Sequence, residues 1–417
     1  MQFSPEIENK IDKYAQLAVK KGVHVVPGQT IIFYVNTELD YFAEKLVKEA
    51  YALGAAEVYV EWSNTSVTRS FLENAADDRI TEVPEYKKVW SDSYILDKKA
   101  SRVSVISSDP DGLGGVDSKR LAANTKALSQ ALQVARKATM NDDISWLVMA
   151  APGLAWAEKV FPELQGREAI ERLWEEFFKD VYVDEESDAI ENWESHIHEL
   201  KKRADWLNEQ NFKELRYKSA KTDATIGLAE NHNWEAALSE DKQGNVFIPN
   251  MPTEEVFTAP DNRNISGTIA STLPLSYNGN LITDILLTVV DGKITEAHAS
   301  KGEEVLQELI ATDEGSHSFG EVSLVPFHSP ISQSGVLFYN TLYDENASDH
   351  LAIGGAYSSN IKNGKTTSED ELVKFGWNRS DVHVDFMIGS EDMNIDGVTF
   401  DGQVVPVFRN GDWASEI

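Results

Sequence analysis

Apolar residues in the first third of the chain alternate between two spacings. Ser4-Pro5-Glu6 is a helix start, with a capping hydroxyl followed by Pro at the first helical position. Ile7, Ile11, Tyr14, Ala15 and Ala18 then recur at helical spacing as far as Gly22. Residues 30–35, Thr-Ile-Ile-Phe-Tyr-Val, form a buried-strand run bounded by Pro27-Gly28 and Asn36. A second helical stretch carries Phe42, Leu46, Val47, Ala50 and Tyr51 and stops at Gly54, and residues 57–62 and 102–106 read as further strands. Strands separated by helices imply crossover connections and hence a largely parallel sheet. The pattern predicts a long helix over 117–138, a short strand over 144–149, and an acidic helical region over 167–208 containing Trp174, Trp193 and Trp206.

After Lys213 the texture changes. Short runs at 222–228, 246–248, 267–273 and 281–290 are separated by turn signals that include Asn278-Gly279 and Asp291-Gly292, with one helix near Glu303–Ile310. The expected architecture is α/β and α+β. An N-terminal α/β domain with helical cover (1–215) holds a largely parallel sheet, and a strand-rich α+β catalytic domain follows (216–417).

Composition narrows the chemistry. The 417 residues carry 69 Asp and Glu against 38 Lys and Arg, a formal charge of −31, and no Cys. A surface this negative repels phosphate backbones, so no nucleic-acid partner is expected. The missing Cys excludes disulfides, thiolate-bound metals and a Cys nucleophile. No apolar stretch approaches a membrane span, and the N-terminus lacks the blocks of a signal peptide, so the expected location is cytoplasmic.

Any metal site must therefore come from His and carboxylates. In Asp381-Val-His383-Val-Asp385-Phe-Met, polar and apolar residues alternate, which puts His383 and Asp385 on one strand face, about 7 Å apart along the chain. Such a pair alone is more often an ordinary polar face or a hydrogen-bonded His–Asp couple than a metal site. Glu345 and His350 are five apart and converge only if the segment bends between them; Gly354-Gly355 then marks a close backbone approach before Tyr357. Glu254-Glu255 and Glu321 abut strand-like runs without basic neighbours. Burying several carboxylates without Lys or Arg is costly unless they bind cations, and oxygen plus imidazole donors suit Zn, Co, Mn or Mg. The other His are isolated in pattern and need no functional role.

Taken together, Asn250-Met-Pro-Thr-Glu-Glu-Val-Phe-Thr258, Gly320-Glu321-Val-Ser-Leu-Val, Glu345-x4-His350 with Tyr357, and His383-Val-Asp385-Phe-Met resemble the M29 metallo-aminopeptidases along the whole chain. The resemblance implies two divalent metal ions per subunit, with Glu255, Glu321, Glu345, His350, His383 and Asp385 at the metal-binding positions and Tyr357 beside the ions. It implies a homodimer acting on short peptides with a free N-terminus. Glu321 is the first choice for the catalytic base, and Tyr357 for the hydrogen bond to the oxyanion. Glu254 is the second choice of base, opposed by the expectation that neighbours in a strand point to opposite faces. Two alternatives are weighed. A two-metal phosphoesterase needs cations for phosphate, and only Arg263, Lys374 and Arg379 lie near the motifs. A non-catalytic acidic protein that binds cations or peptides would fit the loss of a ligand, and none is missing.

Overall fold

The computed structural model describes residues 3–107 and 109–414. It divides into two compact units, one of Met1–Glu194 with Leu238–Pro252 and one of Ser195–Ala237 with Thr253–Ile417.

The first unit is built on a five-stranded parallel sheet, in the order Glu57–Ser63, Thr30–Asn36, Ser101–Ile106, Trp146–Ala150 and Asn250–Met251. Ser4 caps the first helix, Pro5–Leu17, by accepting from the Ile7 N–H, and Pro5 opens it. Tyr14 on that helix, Phe42 on the next and Trp174 pack ring against ring, with centroids 5.6 to 6.0 Å apart. The helical region expected over 167–208 is two helices, Gly166–Asp180 and Ala189–Gln210. The break lies at Asp184, whose carboxylate accepts from the N–H groups of Glu186 and Ser187 and so favours a turn over helix. The helix expected over 117–138 also divides, into Ser118–Ala131 and Gln133–Met140. The first half buries nothing, whereas the second turns Ala135 and Ala138 inward against Ile95 and Ile144. The halves meet at Leu132, whose φ of −103° and ψ of 21° lie outside helical geometry.

The second unit contains an eight-stranded antiparallel sheet and a separate four-stranded one. The Asn278-Gly279 and Asp291-Gly292 signals both form two-residue hairpin turns with positive φ at both positions. The apolar run over 281–290 splits into Asn280–Ile282 and Leu286–Val290 around Asp284, which takes a φ of 54°. The helix Glu303–Ile310 occupies its expected place.

The four-stranded sheet positions the site. Its order is Val256–Thr258, Phe319–Leu324, His350–Gly354 and His383–Met387, all antiparallel. Because successive side chains alternate in a strand, each contributes to two faces. Val256, Val322, Leu324, Leu351, Ile353, Val384 and Phe386 point into the core of the unit. The alternate positions carry Glu321, His350, His383 and Asp385.

Candidate metal centre

The register brings the ligand-type residues together. Glu321 pairs with Ala352, Ser323 with His350, Ala352 with Asp385 and Gly354 with His383. A bulge at Gly320 adjusts the pairing just before Glu321. A Cβ at Gly320 would lie 2.2 Å from the Gly355 carbonyl group, and Gly354 takes a φ of 110° with the Val382 carbonyl oxygen 2.2 Å from where its Cβ would be. Only glycine allows strands to approach so closely there. The approach expected from Gly354-Gly355 is thus present.

Two groups of three donors result, Glu255–Glu321–His350 and Glu321–His383–Asp385, each with ligand atoms within 4.8 Å of one another. Glu321 belongs to both. His350 Nε2 lies 3.1 Å from Glu255 Oε2 and 3.4 Å from Glu321 Oε1. His383 Nε2 lies 3.7 Å from the other Glu321 oxygen and 3.4 Å from Asp385 Oδ1. Glu255, Glu321, His350 and Asp385 are all buried. Glu345 sits on a short 3-10 turn, Glu345–Ala347, after which the chain enters the strand at His350. That bend reconciles the five-residue spacing. Glu345 is outside both groups but feels the charges of Asp385 and Glu255.

Backbone carbonyls orient both imidazoles. Ser348 O lies 3.0 Å from His350 Nδ1, and Gly355 O lies 2.7 Å from His383 Nδ1. A proton held at Nδ1 leaves each Nε2 lone pair facing the carboxylates, the arrangement a metal-binding imidazole needs. Two residues that the sequence did not reveal support the cluster. Ser323 Oγ donates to Glu255 Oε2 at 2.9 Å, and Asn346 Oδ1 accepts from the Glu254 N–H at 2.7 Å. Strand alternation from Glu321 could have found Ser323; nothing local marks Asn346.

Glu254 and Glu255 do not point to opposite strand faces. The strand begins only at Val256, and both carboxylates are buried. Glu254 Oε1 is 3.7 Å from His196 Nε2, which itself lies 2.7 Å from the Thr253 carbonyl oxygen.

The electrostatics are those of a crowded anionic centre. Burial, opposed by the His350 hydrogen bond and reinforced by the Glu255 charge, pushes the Glu321 carboxyl up to about 7. Burial and then the charge of Asp385 hold Glu345 well above the ordinary carboxylate range. For His350, burial disfavours the cation, but hydrogen bonds to Glu255 and Glu321 outweigh it and raise its pKa. His383 rises to about 10, where burial is overcome by Asp385 and Glu321. Asp385 keeps a lowered pKa, because His383 offsets its burial. Although the Tyr357 residue is 36% exposed, burial of its hydroxyl and the charges of Glu321 and Asp385 push the phenol well above its ordinary value.

The donors fit divalent cations. Among the described residues, the ion pairs of Glu255, Glu321 and Asp385 are with His350 and His383 alone. Asp385 Oδ1 is buried and accepts no hydrogen bond. Carboxylates packed this way without Lys or Arg carry uncompensated charge that cations would neutralise.

Comparison with known proteins agrees. A family model described as thermophilic metalloprotease (M29) matches residues 7–413. The chain is 49% identical to Aminopeptidase PepS of Streptococcus thermophilus, over 98% of this chain and 99% of that protein. It is 48% identical to Aminopeptidase AmpS of Bacillus subtilis, over 97% and 98% of the two chains. The solved structure of wild-type AmpT from Thermus thermophilus superposes with a TM-score of 0.92 at 35% identity, covering 98% of this chain and 100% of that one. A donor cluster of this kind, within a fold and sequence matched end to end, places the chain in the M29 family of metalloproteases.

Proposed function

We propose that the protein is an aminopeptidase that releases N-terminal residues from short peptides, using two divalent cations held by Glu255, Glu321, Glu345, His350, His383 and Asp385. One observation carries the reading: two donor groups share Glu321, and its two oxygens face different imidazoles. Glu321 would thus contribute to holding both cations. When bound, the ions supply Lewis acidity, making a water a stronger acid and polarising the scissile carbonyl. Zn, Co, Mn and Mg all suit the donors.

The chain's own residues do the rest. Glu321 accepts the proton of the attacking water and returns it to the leaving amine. The Tyr357 phenol, protonated at neutral pH, donates a hydrogen bond to the developing oxyanion. Ser323 and Asn346 hold the Glu254–Glu255 segment so that Glu255 faces His350. The excess of negative charge draws the protonated amino end of a peptide toward the site. No helix among the described residues is long and apolar enough to cross a membrane. The reading includes a homodimer in the cytoplasm, as the family resemblance implies.

A phosphoesterase has less support. Arg263 is engaged by Asp261, and Arg379 by Glu369 and Asp370, so neither guanidinium is placed for a phosphate at the cluster. The deciding experiment strips the protein with chelator, restores Co, Zn, Mn or Mg, and follows release from aminoacyl nitroanilides beside a phosphodiester. Metal-dependent release of amino acids is expected. Its absence across varied side chains overturns the proposal.

A further inference from the structure

An enzyme that removes one residue at a time has only that residue between the free amine and the scissile carbonyl. If both groups are held at the cluster, the Cα of the first residue lies within about 3.5 Å, one residue's length, of the atoms being cleaved. Its side chain must therefore rest on the surface that adjoins the cluster. The sheet face bearing the donors is mostly short in this direction: Ser323, Ala352 and Gly354 fill the positions between Glu321, His350, Asp385 and His383.

Two large apolar side chains share that face: Met387, which pairs with His350 and is fully buried, and Phe257, which reaches the surface. Phe257 pairs with Ser323 in register, so the two point to the same side. The Phe257 ring lies 6.4 Å from the Tyr357 ring, edge to face, and the Tyr357 ring lies 4.8 Å from that of His383. The three rings form a continuous wall leading away from the donors. Phe257 is only half-buried and Tyr357 is 36% exposed, so the wall has a free apolar surface. Its position is firm, because the Phe257 N–H donates to Glu235 O at 3.0 Å and its carbonyl accepts from the Glu235 N–H at 2.9 Å.

We propose that Phe257, together with the ring of Tyr357, forms the apolar subsite that receives the side chain of the substrate's N-terminal residue. The inference rests on the aminopeptidase reading and deepens it by naming the ring that a large apolar first side chain of the substrate would meet. Burying such a side chain against a ring is favourable, whereas an Ala side chain gains little from it.

The test measures kcat/KM of the metal-loaded enzyme on two peptide series. One varies the first residue (Ala-Ala-Ala, Leu-Ala-Ala, Phe-Ala-Ala), and the other varies the second (Ala-Leu-Ala, Ala-Phe-Ala). In Phe257→Ala, the preference for Leu or Phe over Ala at the first position falls by roughly tenfold or more, the scale expected for a lost apolar contact. The ratios in the second series stay as they are. Phe257→Leu keeps an apolar side chain and retains most of the preference for Leu, which guards against a variant that merely folds poorly. Phe400→Ala, which removes an aromatic 70% exposed elsewhere, leaves both series unchanged. Unaltered first-position ratios in Phe257→Ala, a uniform fall across both series, or a change confined to the second position each overturn the assignment. Absence of turnover by the wild-type enzyme on any of these peptides refutes instead the aminopeptidase reading.

Discussion

Two buried acidic regions of this protein treat the same functional group in opposite ways. In the first unit, Asp241 is 4% exposed, yet its carboxylate accepts from Ser145 Oγ at 2.6 Å, from the N–H groups of Gln243 and Asn245, and from Asn245 Nδ2. Burial raises its pKa, but the donors outweigh it and the net shift is downward. In the second unit, Glu321 is equally buried and faces other carboxylates and two imidazoles, and its pKa rises to about 7. The difference is the supply of hydrogen-bond donors. A saturated carboxylate is a structural clamp; an unsaturated cluster is a site awaiting positive charge. Histidines divide the same way. His383 among the carboxylates is raised to about 10, while His232, buried with only the Ala229 carbonyl at its Nδ1, is lowered by burial to about 4.

Removing metal should produce the largest effect. Chelation is expected to cut aminopeptidase turnover by about 10³-fold or more, with recovery on adding a divalent cation, because the activation of water and the carbonyl is lost. The apo protein should also melt at a lower temperature than the metal-loaded form, since bound ions relieve repulsion that Asp241 never experiences. Full turnover after verified metal removal would break the comparison.

Next comes the shared carboxylate. Glu321→Gln is expected to lower kcat by about 10³-fold, within the range for losing an acid–base group. Its apo melting temperature should hold or rise, because one charge leaves a crowded site. Glu254→Gln tests the other carboxylate: if it abolishes turnover while Glu321→Gln does not, the proton passes to Glu254. Tyr357→Phe should cost about 10²-fold in kcat with metal content unchanged, the scale of a single oxyanion donor.

The histidine contrast predicts a pH effect with a definite sign. His232 has a folded pKa below its unfolded value of about 6.5. Its neutral form is favoured in the folded state, so the associated stability is present above pH 6.5 and lost as pH falls toward 4. The loss is on the order of 3 kcal/mol, and His232→Asn should flatten that part of a denaturant-midpoint profile. An unchanged slope in the variant would show that other groups govern this range. Smallest is the structural clamp. Asp241→Ala should destabilise the protein by about 2 kcal/mol through unpaired donors, leaving kcat/KM untouched. A marked loss of activity in that variant would erase the distinction between the two regions.

Much of this was legible along the chain. Asn278-Gly279 and Asp291-Gly292 form the turns their residue types require, and the alternation in His383-Val-Asp385 places both polar groups on one face. The breaks in the helices were less visible. The division near Leu132 depends on which apolar residues the second half meets, and the strand at Val256 starts one residue after Glu255, a limit no periodicity marks.

The sequence by itself determined the kinds of element, the absence of thiol chemistry, and a set of carboxylates and imidazoles of the type that binds divalent cations. These follow from local rules: side-chain period, turn geometry and the chemistry of each residue. Tertiary structure alone decided that Glu321 stands in both donor groups, that Ser323 and Asn346 hold the Glu254–Glu255 segment, and that Phe257 shares the sheet face of the site. The reason is strand register. Pairing between distant segments sets which side chains meet, and its energy comes from burying Val322, Leu351 and Phe386 on the opposite face. The core thus aligns the donors that no local pattern could bring together.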